Sequence, residues 1–146
     1  MCVNIIEYSS IYFEELYKIL HNVFGSNVTK ENLESNYLGS KKKIFLAMFD
    51  YHVIGCAFLE IKVDHIRPYK YGFVSYVAVD NNYRDLGIGK MLIAKISKVC
   101  DENDCKSIEL TSADFRKSAH IFYHSQGFSI KKTKIFIKEL SIIHDR

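Results

Sequence analysis

The sequence predicts an α/β (α+β) domain built on one sheet, and three observations point that way. Helix-spaced apolar stripes interleave with runs rich in β-branched and aromatic residues along 146 residues. The composition, 48% hydrophobic and 25% charged, is that of a globular chain with a core to bury. The length suits a single domain, 1–146, and no repeat, low-complexity linker or composition break divides it.

Residues 3–8 (VNIIEY) read as a first strand. Ser9 and Ser10 then offer N-cap oxygens, Glu14 and Glu15 suit a first helical turn, and Tyr12, Leu16, Ile19, Leu20 and Val23 form a helical stripe ending at Gly25. Thr29 to Leu38 reads as a second helix closed by Gly39. The apolar runs 44–50 and 53–62, joined by Tyr51 and His52, predict an antiparallel hairpin inside a sheet. The connection 63–70 holds the one proline, Pro68, and 71–80 (YGFVSYVAVD) follows as a strand buried on both faces. From Gly87 to Glu102 the residues Ile88, Met91, Leu92, Ile96, Val99 and Cys100 share one helical stripe. A strand at 106–112, a short helix at 116–126 stopped by Gly127, and a final strand or hairpin at 128–140 complete the order.

The N-terminus lacks a basic region followed by a long apolar run, and no stretch reaches the roughly 18 apolar residues of a membrane span, so a cytoplasmic protein without membrane contact is expected. The four cysteines, Cys2, Cys56, Cys100 and Cys105, form no C-x-x-C pair and have no histidine at zinc-finger spacing, so free thiols and no metal are expected. The net charge of +3 is scattered apart from Lys41–Lys43 and Lys131–Lys134. That is a weak footprint for nucleic acid, and it would draw a small phosphate-bearing ligand equally well.

The chemistry concentrates between Val77 and Lys90 (VAVDNNYRDLGIGK), where a buried strand turns into a helix through Arg84, Gly87 and Gly89. Glycines let the backbone approach a ligand, and the amides from about Leu86 through Ile88 to Lys90 have no partner inside the helix. With the positive helix end behind them, and Arg84 and Lys90 beside them, they would make a nest for a pyrophosphate. A phosphate-binding P-loop is excluded, because Arg84 stands where its first glycine belongs and Met91 where its hydroxyl belongs. The dinucleotide fingerprint is half present: Gly87, Gly89 and Glu109 fit, but Leu92 replaces the third glycine and no clean β-α-β opening precedes it. A plain glycine turn is the bland alternative.

The pattern R-x-x-G-x-G after a strand and at a helix start, RDLGIG at 84–89, resembles the coenzyme A pyrophosphate loop of the GNAT superfamily. AHIFYHSQGF at 119–128 resembles that family's other recurrent segment. The resemblance implies a mixed, mostly antiparallel sheet of six or seven strands flanked by about four helices. It implies acetyl-coenzyme A as co-substrate and transfer of its acetyl group to a primary amine of a small molecule or peptide, by direct attack through a tetrahedral intermediate. The backbone of Val77, Ala78 and Val79 would hold the pantetheine arm and the acetyl carbonyl like an added strand. The coenzyme would enter where this strand and 106–112 splay apart. Tyr123 would be the general acid that protonates the departing thiolate, a phenol being protonated at neutral pH; its bland alternative is a ring packed beside Phe122.

The chain also departs from the pattern. Ser75 or Tyr76 occupies the neighbourhood of a glutamate that many members use to deprotonate the substrate, so the base is unassigned among Glu60, Asp64, His65, Glu109 and a water chain. Arg116 stands where the family often has asparagine, as in a subset of relatives, and either meets a coenzyme A phosphate or is a solvated surface arginine. His120 and His124 share a helix face at zinc spacing, but Ile121 stands where a metalloprotease has glutamate. The acceptor region, roughly 23–37 and 63–71, suits a polyamine, an amino acid, an antibiotic or a peptide N-terminus alike. A non-catalytic acyl-coenzyme A sensor and a nucleic-acid binder are the rival classes. A homodimer is a further expectation, with Ile142 and Ile143 at an interface or completing the last strand.

Overall fold

In a computed structural model residues 1–141 are described; Ile142 and Ile143 lie outside them. The chain divides into two compact units, Met1–Ala113 and the part from Asp114 onward.

The first unit runs β1 (Asn4–Glu7), α1 (Phe13–Phe24), α2 (Lys30–Tyr37), β2 (Lys42–Phe49), β3 (His52–Asp64), β4 (Tyr69–Val79), α3 (Ile88–Glu102) and β5 (Cys105–Leu110). The strands form one sheet in the order β1-β2-β3-β4-β5, antiparallel throughout except for the parallel pair β4–β5. That exception follows from the connection, since parallel neighbours need a crossover and α3 supplies it. The β2–β3 hairpin closes through Asp50 and Tyr51, both at positive φ (51° and 64°), which is the twist-matched geometry of a two-residue turn.

Each face of the sheet buries its own core. On one side Leu16, Ile19 and Leu20 of α1 and Leu33 of α2 pack with Ile44, Leu46, Cys56 and Phe58. On the other, Ile88, Leu92, Ile96, Val99 and Cys100 of α3 pack with Phe45, Ala57, Leu59 and Val74. Burial on both faces explains why β2 and β3 read as continuous apolar runs rather than alternating ones.

Gly72 of β4 packs closely under α3: a Cβ there would run into Cys100 Sγ and stand 3.1 Å from Leu59 Cδ1. Gly72→Ala therefore overpacks a full core, with an expected cost of about 1–3 kcal/mol. A lowered urea midpoint at unchanged slope checks this, and a midpoint equal to that of the parent contradicts so close a packing.

The start of α1 departs from expectation. Residues 10–12 form a short 3-10 turn first, and neither Ser9 nor Tyr12 caps with its side chain. Ser10 instead donates its hydroxyl to Glu34 Oε2 at 2.6 Å, beside the Tyr8 hydroxyl at 2.7 Å, tying the α1 entry to α2 and holding the Glu34 carboxyl below its ordinary pKa. Thr29 does cap α2, accepting from the Asn32 amide at 3.1 Å.

The second unit contains α4 (Lys117–Ser125). Beyond it, no strand occurs at 128–141, where Ile130, Ile135, Phe136, Ile137 and Leu140 are exposed. The expected final strand, and with it the six- or seven-stranded sheet, is corrected to five strands among the described residues. Alternating apolar residues favour a strand only where a neighbouring edge takes up the backbone hydrogen bonds, and no described strand pairs with this segment.

Candidate functional site

The β4 strand carries the first feature of the site. Its register with β3 slips between Cys56 and Phe58, so that Ala57 faces an extra residue, and Tyr76 sits at φ 50°. The bulge breaks the alternation: Val74 and Val77 belong to the α3 side, while Ser75 reaches Tyr37 of α2 and Tyr76 meets Phe24 and Phe58 on the other side. The Cys56 thiol, pushed up to about 12 by burial, donates to the Tyr76 carbonyl at 3.4 Å and braces the bulge.

On its other edge β4 pairs with β5 only from Lys70 to Val74, which faces Leu110. From Ser75 to Val79 no described strand pairs with that edge, so the two strands part after Val74. The side chain of Ala78 is buried, and Val77 and Val79 are partly buried against the α3-side core.

The strand then leads through a short 3-10 turn, Asn81–Tyr83, to the start of α3. Gly87 adopts φ 81°, ψ 12°, a left-handed conformation that a Cβ disfavours, and its carbonyl accepts the Met91 amide at 3.1 Å. The amides of Ile88, Gly89 and Lys90 lie ahead of that bond, at the positive end of a 15-residue helix. Arg84, Leu86, Gly87 and Lys90 are exposed, whereas the Ile88 side chain is core, so Ile88 can offer a ligand its amide alone. Gly89 has no positive φ; glycine costs a helix about 1 kcal/mol there relative to alanine, and what it yields is open backbone.

Arg116 and Tyr123 belong to the second unit, Arg116 at the N-cap of α4 and Tyr123 in its last turn. Gly127, at φ 93°, ends the helix: its amide donates to the His124 carbonyl at 3.1 Å, and the Phe128 amide donates to the Tyr123 carbonyl at 3.0 Å. These are the two bonds of a Schellman stop, and the apolar contact that accompanies such a stop is Phe128 against Tyr123, ring centroids 5.8 Å apart. The glycine-phenylalanine pair thus fixes the Tyr123 ring by local physics, which the sequence reading did not foresee. Burial raises the Tyr123 pKa while Arg116 acts to lower it. His124 Nδ1 lies 3.1 Å from the Phe128 carbonyl oxygen.

A second feature missed in the sequence is a cavity of about 470 Å³ between α1, α2 and the β4 bulge. Phe24, Tyr37, Phe58 and Tyr76 line it as successive edge-to-face pairs with centroids 4.8–5.3 Å apart. A signal for the bulge was present, since Val74, Val77 and Val79 are spaced three and then two apart.

The base candidates separate. Asp64 Oδ1 accepts from the Ile66 and Arg67 amides, both at 3.0 Å, and so builds the β3–β4 turn. His65 is exposed. Glu60 acts electrostatically on Tyr37 in the cavity wall. The lysine run is dispersed by strand alternation: Lys43 pairs with Glu7 at 3.0 Å, while Lys42 reaches the Asn36 carbonyl and the Tyr37 ring.

Residues 13–128 match the family model described as Acetyltransferase (GNAT) family. The chain belongs to the GNAT family. This GNAT chain is 30% identical over 92 residues to N-alpha-acetyltransferase 30 of Xenopus laevis, a match covering 63% of this chain and 33% of that protein. It spans a third or less of the length of the curated relatives it matches. Its fold is that of an aminoglycoside acetyltransferase from an uncultured soil metagenomic sample, solved with sisomicin (TM-score 0.84, 18% identity, 95% of this chain and 97% of that one). It is equally that of AAC(6')-Iy in complex with the bisubstrate analogue CoA-S-monomethyl-acetylneamine (TM-score 0.83, 18% identity, 97% and 100%). The GNAT fold here has five strands and four α-helices among the described residues, and no described helix is long and apolar enough to cross a membrane.

Proposed function

We propose that this GNAT chain transfers the acetyl group of acetyl-coenzyme A to a primary amine by direct attack. The observation that carries the reading is the continuity of two features within a GNAT chain: a β4 edge with which no described strand pairs from Ser75 to Val79, and, ten residues on from Val77, the left-handed Gly87 that opens the end of α3. Both suit acetyl-coenzyme A chemically. The helix-end amides, Arg84 and Lys90 are donors and charges for a pyrophosphate, and an unpaired strand edge accepts the amides of a pantetheine arm.

On this reading the amine nitrogen bonds to the thioester carbonyl carbon first. As the tetrahedral intermediate collapses the C–S bond breaks and Tyr123 donates its proton to the leaving sulfur, while the proton lost by the nitrogen passes to water, from which the phenolate is reprotonated. Arg116 assists at a phosphate. The family model, residues 13–128, includes Gly87 and Tyr123 alike. The relatives' name, N-alpha-acetyltransferase, favours the α-amine of a peptide as acceptor.

The test is thiol release from acetyl-coenzyme A in the presence of a peptide panel, with the acetylated peptide confirmed by mass. Release that requires both substrates and yields one acetylated α-amine per thiol is expected. Binding of acetyl-coenzyme A without release on any peptide or small amine points instead to a sensor.

A further inference from the structure

The cavity beside the β4 bulge differs from an ordinary surface cleft in its charge. Leu20, Phe24, Val28, Leu33, Phe58 and Tyr76 line it, and among the described residues no aspartate or glutamate does. The helix that borders it shows how this comes about. Along α2 the residues Asn32, Leu33, Asn36 and Tyr37 turn toward the cavity, whereas the acids Glu31 and Glu34 of the same helix are absent from its lining, and Glu34 is bound by the hydroxyls of Tyr8 and Ser10. The polar atoms that remain are neutral: the amides of Asn32 and Asn36, the Ser26 hydroxyl and two phenols.

Such a lining favours one acceptor chemistry. A molecule with several ammonium groups gives up hydration on entering and meets no carboxylate in the lining, Glu60 acting on Tyr37 from outside it, which is costly. A large aliphatic or aromatic side chain gains by burial against the walls, and the neutral amides can bond the peptide groups that follow it. The cavity includes Tyr76 in its lining, and Tyr76 adjoins Val77–Val79, the stretch of β4 proposed above to hold the thioester, so an acceptor seated in the cavity borders that strand.

Resting on the acetyl-transfer reading above, we infer that the acceptor is the N-terminus of a peptide whose first residue has a large apolar side chain, and that Val28, Phe24 and Tyr76 set this preference. One methylene in an apolar pocket is worth about 10-fold or more in kcat/KM. Peptides identical after the first residue and beginning with Leu, Met or Phe are expected to exceed those beginning with Gly, Asp or Lys by at least about that factor.

The experiment measures kcat/KM for these six peptides, for spermidine and for sisomicin, alongside direct binding of acetyl-coenzyme A. A Val28→Asp variant, which places a carboxylate in the wall, is expected to lose the apolar preference and gain on the Lys-starting peptide while binding acetyl-coenzyme A as before. Best turnover of spermidine, sisomicin or the Lys-starting peptide by the parent overturns the assignment while leaving acetyl transfer intact. So does the absence of any preference, or binding of acetyl-coenzyme A with no apolar peptide turned over. Failure to bind acetyl-coenzyme A removes the reading on which it rests.

Discussion

Replacing Tyr123 by phenylalanine is expected to lower kcat by about 100-fold or more, the usual loss when a general acid is removed, and to leave acetyl-coenzyme A binding unchanged. The substitution is conservative where the ring matters, because Phe128 packs on the ring and the helix stop uses only the Tyr123 carbonyl. Only the hydroxyl is lost. Burial raises the Tyr123 pKa from its ordinary 10.0, and a raised pKa extends the protonated, proton-donating form to higher pH. The parent should therefore show no loss of the donor through the neutral and mildly alkaline range. Steady-state kinetics with a good peptide substrate decide it, and an unchanged kcat in the variant removes Tyr123 from the reaction.

Gly89→Glu is expected to have opposite effects on the empty protein and on ligand binding. A glutamate near the N-terminus of α3 replaces a poor helix former and complements the helix dipole, so the ligand-free variant should melt at the same temperature as the parent or higher. A carboxylate about 5 Å from a bound pyrophosphate costs about 3 kcal/mol at the effective dielectric of a protein surface, which weakens binding on the order of 100-fold. Acetyl-coenzyme A at about 100 times Kd should stabilise the parent by about 2.7 kcal/mol, a Tm rise of several degrees that the variant lacks. An equal rise in the variant places the coenzyme elsewhere.

The parts of this molecule that were legible in the sequence are those fixed by local pattern. The stripe from Ile88 to Cys100 specified α3, and the apolar runs 44–50 and 53–62 specified an antiparallel hairpin inside the sheet. The Gly87 turn was readable because a left-handed residue before a helix favours glycine. What was not legible depends on partners distant in the chain. Ser10 looked like a cap until α2 brought Glu34 to its hydroxyl. The segment 128–140 carries a strand pattern, but pairing is decided by a free edge and not by the segment's own residues. The aromatic cavity gathers Phe24, Tyr37, Phe58 and Tyr76 from four elements and their ends, so no window of sequence displays it. The residues 71–80 read as an uninterrupted strand, and the bulge hidden in the valine spacing at 74, 77 and 79 emerges only with the β3 register and the ring contacts.

Calorimetric titration of the intact protein with acetyl-coenzyme A tests the central claim most directly. One acetyl-coenzyme A per chain with a Kd in the micromolar range is the expected result. No heat of binding and no saturation into the millimolar range would contradict it, leaving a GNAT fold in which the Gly87 turn and the free β4 edge serve some other purpose.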